Sequence, residues 1–247
     1  MIDSQDAEGI ERATLAAVPP QRQETFGEWL LAYDDGTVGR CHSAVPLRHA
    51  PPVPGTLDEI ERRYAGAGLP PILRIPEHPA FDAFRSELTD RAYVRSTPTS
   101  VQVAQLPARG GADTIHVRVS DTPDARWEDT FLGEDGDPVD ASSRLAILRR
   151  GAHSIFASVD AADRVAAVGF ACLSHGWCGI HGMRTASAFR HQGHASAILA
   201  RLAEVARERG ITRWFLQVEE TNAAALRLYK RHGFEPAWTY AYWRPAQ

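Results

Sequence analysis

Two short segments combine residue types that could hold and transfer a charged group. The first, Arg190-His191-Gln192-Gly193-His194-Ala195, lies where a strand-like run gives way to an amphipathic one. Small residues at its fourth and sixth positions let the backbone approach a ligand closely. The amides of a helical first turn have no intrahelical partners, and the helix dipole favours an anion there. Arg190 adds a forked cation. The second segment lies beyond the next strand-like run and places Asn222, Ala225, Leu228, Tyr229, Gly233 and Phe234 in the spacing N-x-x-A-x-x-L-Y-x-x-x-G-F. A tyrosine hydroxyl at the end of such a cleft can donate a proton to a leaving group.

Taken together in the order strand, anion loop, helix, strand, capped helix, these segments resemble the GNAT superfamily of acyl-CoA-dependent N-acyltransferases, from about Ile115 to Trp243. The resemblance implies that Arg190, His191, Gln192, Gly193, His194 and Ala195 hold the pyrophosphate of acetyl-CoA through backbone amides. It implies that Met183, Arg184 and Thr185 lie on the strand whose backbone pairs with the pantetheine arm, and that Asn222 contacts the cofactor. That strand would part from the next at a bulge, leaving a gap between roughly Arg184 and Val218 for the thioester. Tyr229 matches the family's general acid, and a strand amide near Thr185 would hold the carbonyl oxygen.

The general base is less determined. Gly179 stands near the position where many family members carry a glutamate. Plain strand alternation would put Gly179, His181, Met183 and Thr185 on one face, so that His181 points into the cleft with an ordinary pKa of about 6.5. Glu219, at the end of the following strand, is the rival base or an acceptor-binding carboxylate, and water could also relay the proton of an alkyl amine. Cys172, His175, Cys178 and His181 recur at metal-ligand spacing, but a hairpin turn near Ser174 to Gly176 separates them, so no metal site is expected. Cys178 has no evident base beside it to make it a nucleophile.

These residues need a scaffold of strands and helices. The second half reads as a strand from Ser154, a meander through Val165–Leu173 and Trp177–Thr185, a helix carrying Ile198, Leu199, Leu202 and Val205, a strand Arg213–Glu219, a helix to Arg231 and a last strand Trp238–Trp243. The first half repeats the order hairpin, helix, strand, helix, strand. It reads as a helix over Glu8–Ala17, a hairpin turning at Asp34-Asp35-Gly36, a helix capped by Thr56, and a strand over Thr99–Leu106. The fold class expected is α/β of the α+β type, a mixed and mostly antiparallel sheet flanked by helices. The tandem reading places a degenerate unit at residues 1–110 and the cofactor-binding unit at residues 111–247, with a joint at Pro107 to Gly111. Prolines in Pro46 to Gly55 remove the amides that an anion loop needs, so a single cofactor site is expected.

Composition limits the partners. With 247 residues, 27 Lys+Arg against 31 Asp+Glu and a net charge of −4, the chain lacks the basic balance of a phosphate-neutralising surface, and no nucleic-acid partner is expected. No apolar run approaches a membrane span, the acidic N-terminus is unlike a signal peptide, and three scattered cysteines fit a reducing, cytoplasmic setting. The reaction expected is acetyl transfer from acetyl-CoA to an amine of a small molecule or a peptide, in a monomer or homodimer. Net acidity mildly favours a cationic acceptor. A longer acyl donor, or a non-catalytic acyl-CoA sensor, would use the same loop.

Overall fold

The computed structural model describes residues 4–107, 115–133, 137–161 and 163–246. The junction expected at Pro107 to Gly111 falls almost wholly outside them. In chain order the elements are α1 (Ser4–Ala17), β1 (Arg22–Phe26), β2 (Trp29–Tyr33), β3 (Ala44–Pro46), α2 (Thr56–Gly66), β4 (Leu73–Pro76), α3 (Asp82–Asp90), β5 (Tyr93–Gln105) and β6 (Arg118–Ser120). They continue with α4 (Ala125–Leu132), α5 (Pro138–Arg150), β7 (Ser154–Ala161), β8 (Arg164–Ser174), β9 (Trp177–Thr185), α6 (His194–Glu208), β10 (Arg213–Glu219), α7 (Ala223–Arg231) and β11 (Glu235–Pro245).

The described strands form one sheet in the order β1-β2-β3-β4-β11-β5-β10-β9-β8-β7-β6. Neighbours are antiparallel except at two places, β3 beside β4 and β9 beside β10, where the chain makes a helical crossover through α2 or α6. The two halves are stitched by their last strands. β5, from the first half, lies between β11 and β10, while β11, from the second, pairs with both β4 and β5.

The helices cover both faces. Ile198, Leu199, Leu202 and Ala206 of α6 bury against Ile155, Ala157, Ala167 and Ile180, and Tyr229 of α7 joins the same cluster. Leu57, Ile60 and Tyr64 of α2 and Phe84 and Leu88 of α3 cover Leu31, Leu73 and Ile75 on that side of the first half. On the opposite face Ile10 and Ala13 of α1 pack against Trp177, Phe215 and Tyr240. Trp127 of α4 and Leu148 of α5 meet Phe156, Val168 and Phe170 there. Under α1 a buried ion pair joins Arg74 Nη1 to Glu11 at 2.8 Å.

Three local expectations are corrected. β2 pairs antiparallel with β3 as expected, Leu30 opposite Val45, but the tight turn that forms is β1 to β2 through Gly27, where Arg22–Phe26 pairs residue for residue with Trp29–Tyr33. Asp34-Asp35-Gly36 instead opens a longer excursion, with Asp34 Oδ1 accepting the Gly36 amide at 2.8 Å and a 3-10 turn following at Gly39–His42. The cap of α2 is Gly55, not Thr56, whose hydroxyl donates to the Val53 carbonyl at 2.7 Å. Of the strand expected over Ile115, Val117 and Val119, Ile115 lies in a bend, and the chain joins the sheet only from Arg118 to Ser120.

Candidate active site

The site begins where β9 and β10 stop being neighbours. Their parallel ladder comprises Trp214 with Cys178, Phe215 with Gly179, and Leu216 with Ile180. Beyond it the two strands diverge, and the opening takes in Ile180 to Met183 of β9 and Gln217 to Glu219 of β10, nearer the ladder on the β9 side than the expected Arg184. A bulge sharpens the divergence. Val168 pairs with Arg184 and Phe170 with His181, so Gly182 and Met183 together oppose Gly169, with Gly182 at φ +61°. A Cβ on Gly182 would lie 2.9–3.0 Å from the rings of Phe131 and Phe170.

The bulge overturns the expected alternation. His181 stays on the α1/α4 face, its ring 5.3 Å from Phe170 and 5.9 Å from Phe215. Met183 passes to the other face and packs with the α6 cluster. Thr185, paired with Ala167 of that cluster, follows it. Arg184 remains on the α4 side, where its guanidinium donates to the carbonyls of Phe131 (3.0 Å) and Leu132 (2.8 Å) at the end of α4. Its side chain is thus occupied in holding α4, whatever its backbone does.

The segment expected to be an anion loop, Arg190 to Ala195, runs into the first turn of α6. Gly193 is the N-terminal cap of α6 at φ +85°, ψ −7°, a left-handed conformation that glycine adopts at little cost. The Ala197 amide is the first to bond back, to Gly193 O at 3.0 Å. The amides of His194, Ala195 and Ser196 therefore precede the helical ladder. Arg190, His191, Gln192 and Gly193 are exposed around them, and Ala195 leaves the turn uncrowded. Both ring nitrogens of His194 are closed off from solvent with no hydrogen-bond partner among the described residues.

Tyr229, 8% exposed, lies between this loop's helix and the opening. Burial pushes its hydroxyl up to about 12, so it keeps its proton at neutral pH. Asn222 Oδ1 accepts the Ala225 amide at 3.1 Å, capping α7 while the residue also borders the cleft.

The floor on the other face carries His181 and Glu219. His181 is 6% exposed, and its Nε2 has no hydrogen-bond partner. Burial, with the neighbouring Arg40 guanidinium, pushes it down to about 3. The ordinary pKa that recommended it as a base is therefore absent. The same ring accounts for the missing glutamate. A Cβ on Gly179 would lie 2.6 Å from His181 Nε2 and 2.8 Å from the Phe215 ring, leaving no room for a side chain. Glu219 is exposed at the end of β10, two residues beyond Gln217, which bonds Thr14 of α1. Strand alternation puts Glu219 on the α1 side of the sheet.

The cavity along the opening measures about 430 Å³ and is bordered by Met183, Gln217, Asn222 and Tyr229. It continues into a second of about 360 Å³ on the α1 side, bordered by Thr37, Ile147, Phe170 and Arg244. His181, Glu219, Arg40 and Arg144 border both. Arg40 and Thr97 come from the first half, a signal invisible in the local motifs because it arises from strand exchange. Cys172 and Cys178 lie on opposite faces of the sheet, so the regular Cys/His spacing does not converge. Burial pushes both thiols up, and neither is poised as a nucleophile.

A β-bulge splaying two parallel strands, an anion-type loop at the helix between them and a tyrosine on the next helix define a GNAT acetyltransferase fold. The chain belongs to the family described as "Probable histone acetyltransferase Rv0428c C-terminal", whose model matches residues 5–243. Among curated proteins it is 26% identical over 238 residues to "Uncharacterized N-acetyltransferase YobR" of Bacillus subtilis (strain 168), covering 94% of this chain and 95% of that one. Among solved structures it resembles a GCN5-related N-acetyltransferase from Kribbella flavida, with a TM-score of 0.70 at 18% identity over 98% and 96% of the two chains. A GCN5-related N-acetyltransferase from Sphaerobacter thermophilus matches with a TM-score of 0.59 at 14% identity over 99% and 95%. These likenesses extend over both halves of the chain, in keeping with a tandem GNAT arrangement.

Proposed function

We propose that the protein is an acetyl-CoA-dependent N-acetyltransferase whose donor and acceptor approach the β9/β10 opening from opposite faces of the sheet. The observation that carries this reading is the placement of Tyr229 on the α6/α7 face and Glu219 on the α1 face of one continuous cleft. The residues fit the donor. Three free amides at His194 to Ser196, the left-handed Gly193 and exposed Arg190 make a cradle for a pyrophosphate, and the widened edge of β9 from His181 to Thr185 suits an extended arm.

Acetyl-CoA bound there supplies an acetyl thioester whose C–S bond breaks as the amine nitrogen takes the acetyl group. The chain's own work is positional and acid–base. The opening orients the amine, and Glu219 accepts its proton, directly or through water. The Tyr229 hydroxyl, held protonated by burial, gives a proton to the sulfur. His181, neutral throughout the physiological range, forms an uncharged floor beside Glu219.

A histone-type, lysine-rich acceptor, as the family's description names, is disfavoured by the arginines that border the acceptor side. Calorimetric titration of acetyl-CoA into the parent and into Gly193→Glu tests the reading. Binding to the parent alone supports it. Absence of binding to the parent refutes it.

A further inference from the structure

The acceptor end of the cleft has a charge opposite to that of the chain as a whole. Among its described bordering residues are three arginines, Arg40, Arg144 and Arg244, against one carboxylate, Glu219. Two of the three are already engaged. Arg144 pairs with Asp140 at 2.6 Å, and Arg244 donates to Ser96 Oγ at 2.8 Å while its guanidinium lies 4.7 Å from the centre of the Tyr242 ring.

Arg40 differs. Like Arg144 it borders both parts of the cleft, but among the described residues it pairs with no carboxylate, and its Nε is closed off from solvent without a hydrogen-bond partner, so an acceptor arriving from the cleft meets its terminal nitrogens. Glu11, a buried carboxylate within its field, is already paired with Arg74 at 2.8 Å. A half-buried guanidinium without a carboxylate partner is stabilised when one arrives from the cleft, and a planar carboxylate can accept from both terminal nitrogens end-on.

Its position is also fixed. Arg40 begins beside Gly39, where a Cβ would lie 2.8–2.9 Å from the Tyr242 ring, so the 3-10 turn is pressed onto that ring with no slack. Tyr242 in turn lies next to Tyr240, 5.6 Å between ring centres, on the strand exchanged between the halves.

We propose that the acceptor is a small amine that itself carries a carboxylate, of the amino-acid type, with the acid held by Arg40 and the amine presented to Glu219. The inference rests on the acetyltransferase reading above and names its substrate class. It assigns a recognition role to the first half of the chain: the degenerate unit supplies the acid-binding cation and the second unit the proton-handling groups. The Glu219 carboxylate and the Arg40 guanidinium then recognise the two ends of a zwitterion, which a monovalent amine or a polycation cannot match. The small volume of the cleft favours a free amino acid over a folded protein segment.

The test separates this inference from the reading beneath it. Acetyl-CoA affinity is measured first by calorimetry, and its absence overturns both. With the donor bound, thiol release is followed for the twenty amino acids, each matched with its carboxamide, alongside spermidine and a lysine-rich peptide. The expected result is turnover of at least one free acid with kcat/KM about 10- to 100-fold above its amide, the range for one lost charged hydrogen bond. Arg40→Gln should bring that ratio close to one by raising KM for the acid, and Arg40→Lys should restore part of it. Equal turnover of acid and amide by the parent overturns the inference without any variant. So does turnover confined to spermidine or the peptide, or none of any acid while acetyl-CoA binds. If Arg40→Gln does not fold, Arg40→Lys and the acid-to-amide ratio of the parent still decide it.

Discussion

The buried imidazole of His181 should make the protein measurably acid-sensitive, and by a calculable amount. Its side chain is packed between Phe170 and Phe215 with Arg40 beside it, and its pKa falls from 6.5 to about 3. The unfolded chain takes up a proton at this residue near 6.5, whereas the folded chain resists until about 3. The unfolded state thus binds more protons throughout that window, and stability falls as pH drops through it. At about 1.4 kcal/mol per pH unit, going from pH 7 to pH 5 removes about 2 kcal/mol through this one group. His181→Leu cannot titrate, so it should lose about 2 kcal/mol less than the parent over the same interval, whatever its stability at pH 7. Urea titrations of both proteins at pH 7 and pH 5, followed by tryptophan fluorescence, measure the difference. His42 and His49 are also held down by burial and contribute to the parent's slope, but they are common to both proteins and cancel. If parent and variant lose the same stability, His181 is not shielded as described, and an imidazole base near neutral pH returns to consideration.

The remaining predictions concern the donor side and the core. Tyr229→Phe keeps the ring against Phe234 and should fold with stability within about 1 kcal/mol of the parent, retain acetyl-CoA affinity, and lose about 10²-fold or more in kcat. Unchanged thiol release would remove the hydroxyl from the reaction. Gly193→Glu places a bulky anion at φ +85° in the mouth of the amide cradle and should abolish acetyl-CoA binding in calorimetry, while circular dichroism shows the fold retained. Glu11→Ala leaves the Arg74 guanidinium buried without its partner and should cost about 3–5 kcal/mol in urea denaturation. A loss below about 1 kcal/mol would mean that water or another carboxylate replaces Glu11.

What could be read from the chain, and what could not, follows the range of the forces involved. β10 spans Arg213–Glu219 as its apolar run Trp214, Phe215, Leu216 and Val218 indicates, and α6 and α7 carry their own boundary signals in Gly193, Asn222 and Gly233. Each of these is a local rule of backbone and cap. β1 carries no such signal, because Arg22–Phe26 is an edge strand whose residues are mostly exposed, with no apolar alternation to reveal it. A bulge near Arg184 is implied by the resemblance, but its place at Gly182 and its reversal of the alternation are not legible in the chain, for a different reason. It depends on the aromatic rings of Phe131 and Phe170 pressing from another part of the chain, and it sends Met183 and Thr185 to the face opposite His181. The depressed pKa of His181 and the presence of Arg40 in the cleft were likewise unreadable, since both depend on distant segments brought together by the sheet.

The first half has part of the same frame with different surroundings. Gly55 caps α2 at φ +81°, ψ 0°, nearly the conformation of Gly193, and each glycine leads into a helix that crosses between parallel strands. The left-handed glycine at the head of the helix is therefore present twice, though in the first half the Thr56 amide that follows it is bonded to the Val53 carbonyl at 3.2 Å. Its surroundings also differ. Pro51, Pro52 and Pro54 remove donors before Gly55. The ring of His49, just past β3, lies 5.6 Å from that of His78, just past β4, and 5.1 Å from that of Trp238. In the second half, the corresponding space past the ends of β9 and β10 is the cleft bordered by Tyr229 and Glu219. In the first half it is filled with aromatic matter, and burial holds His49 down to about 4, so it stays uncharged there. A filled slot adds packing to a sheet that both halves share through β5 and β11, and it leaves the first half free to present Arg40 across the exchanged strands to the one cleft that stays open.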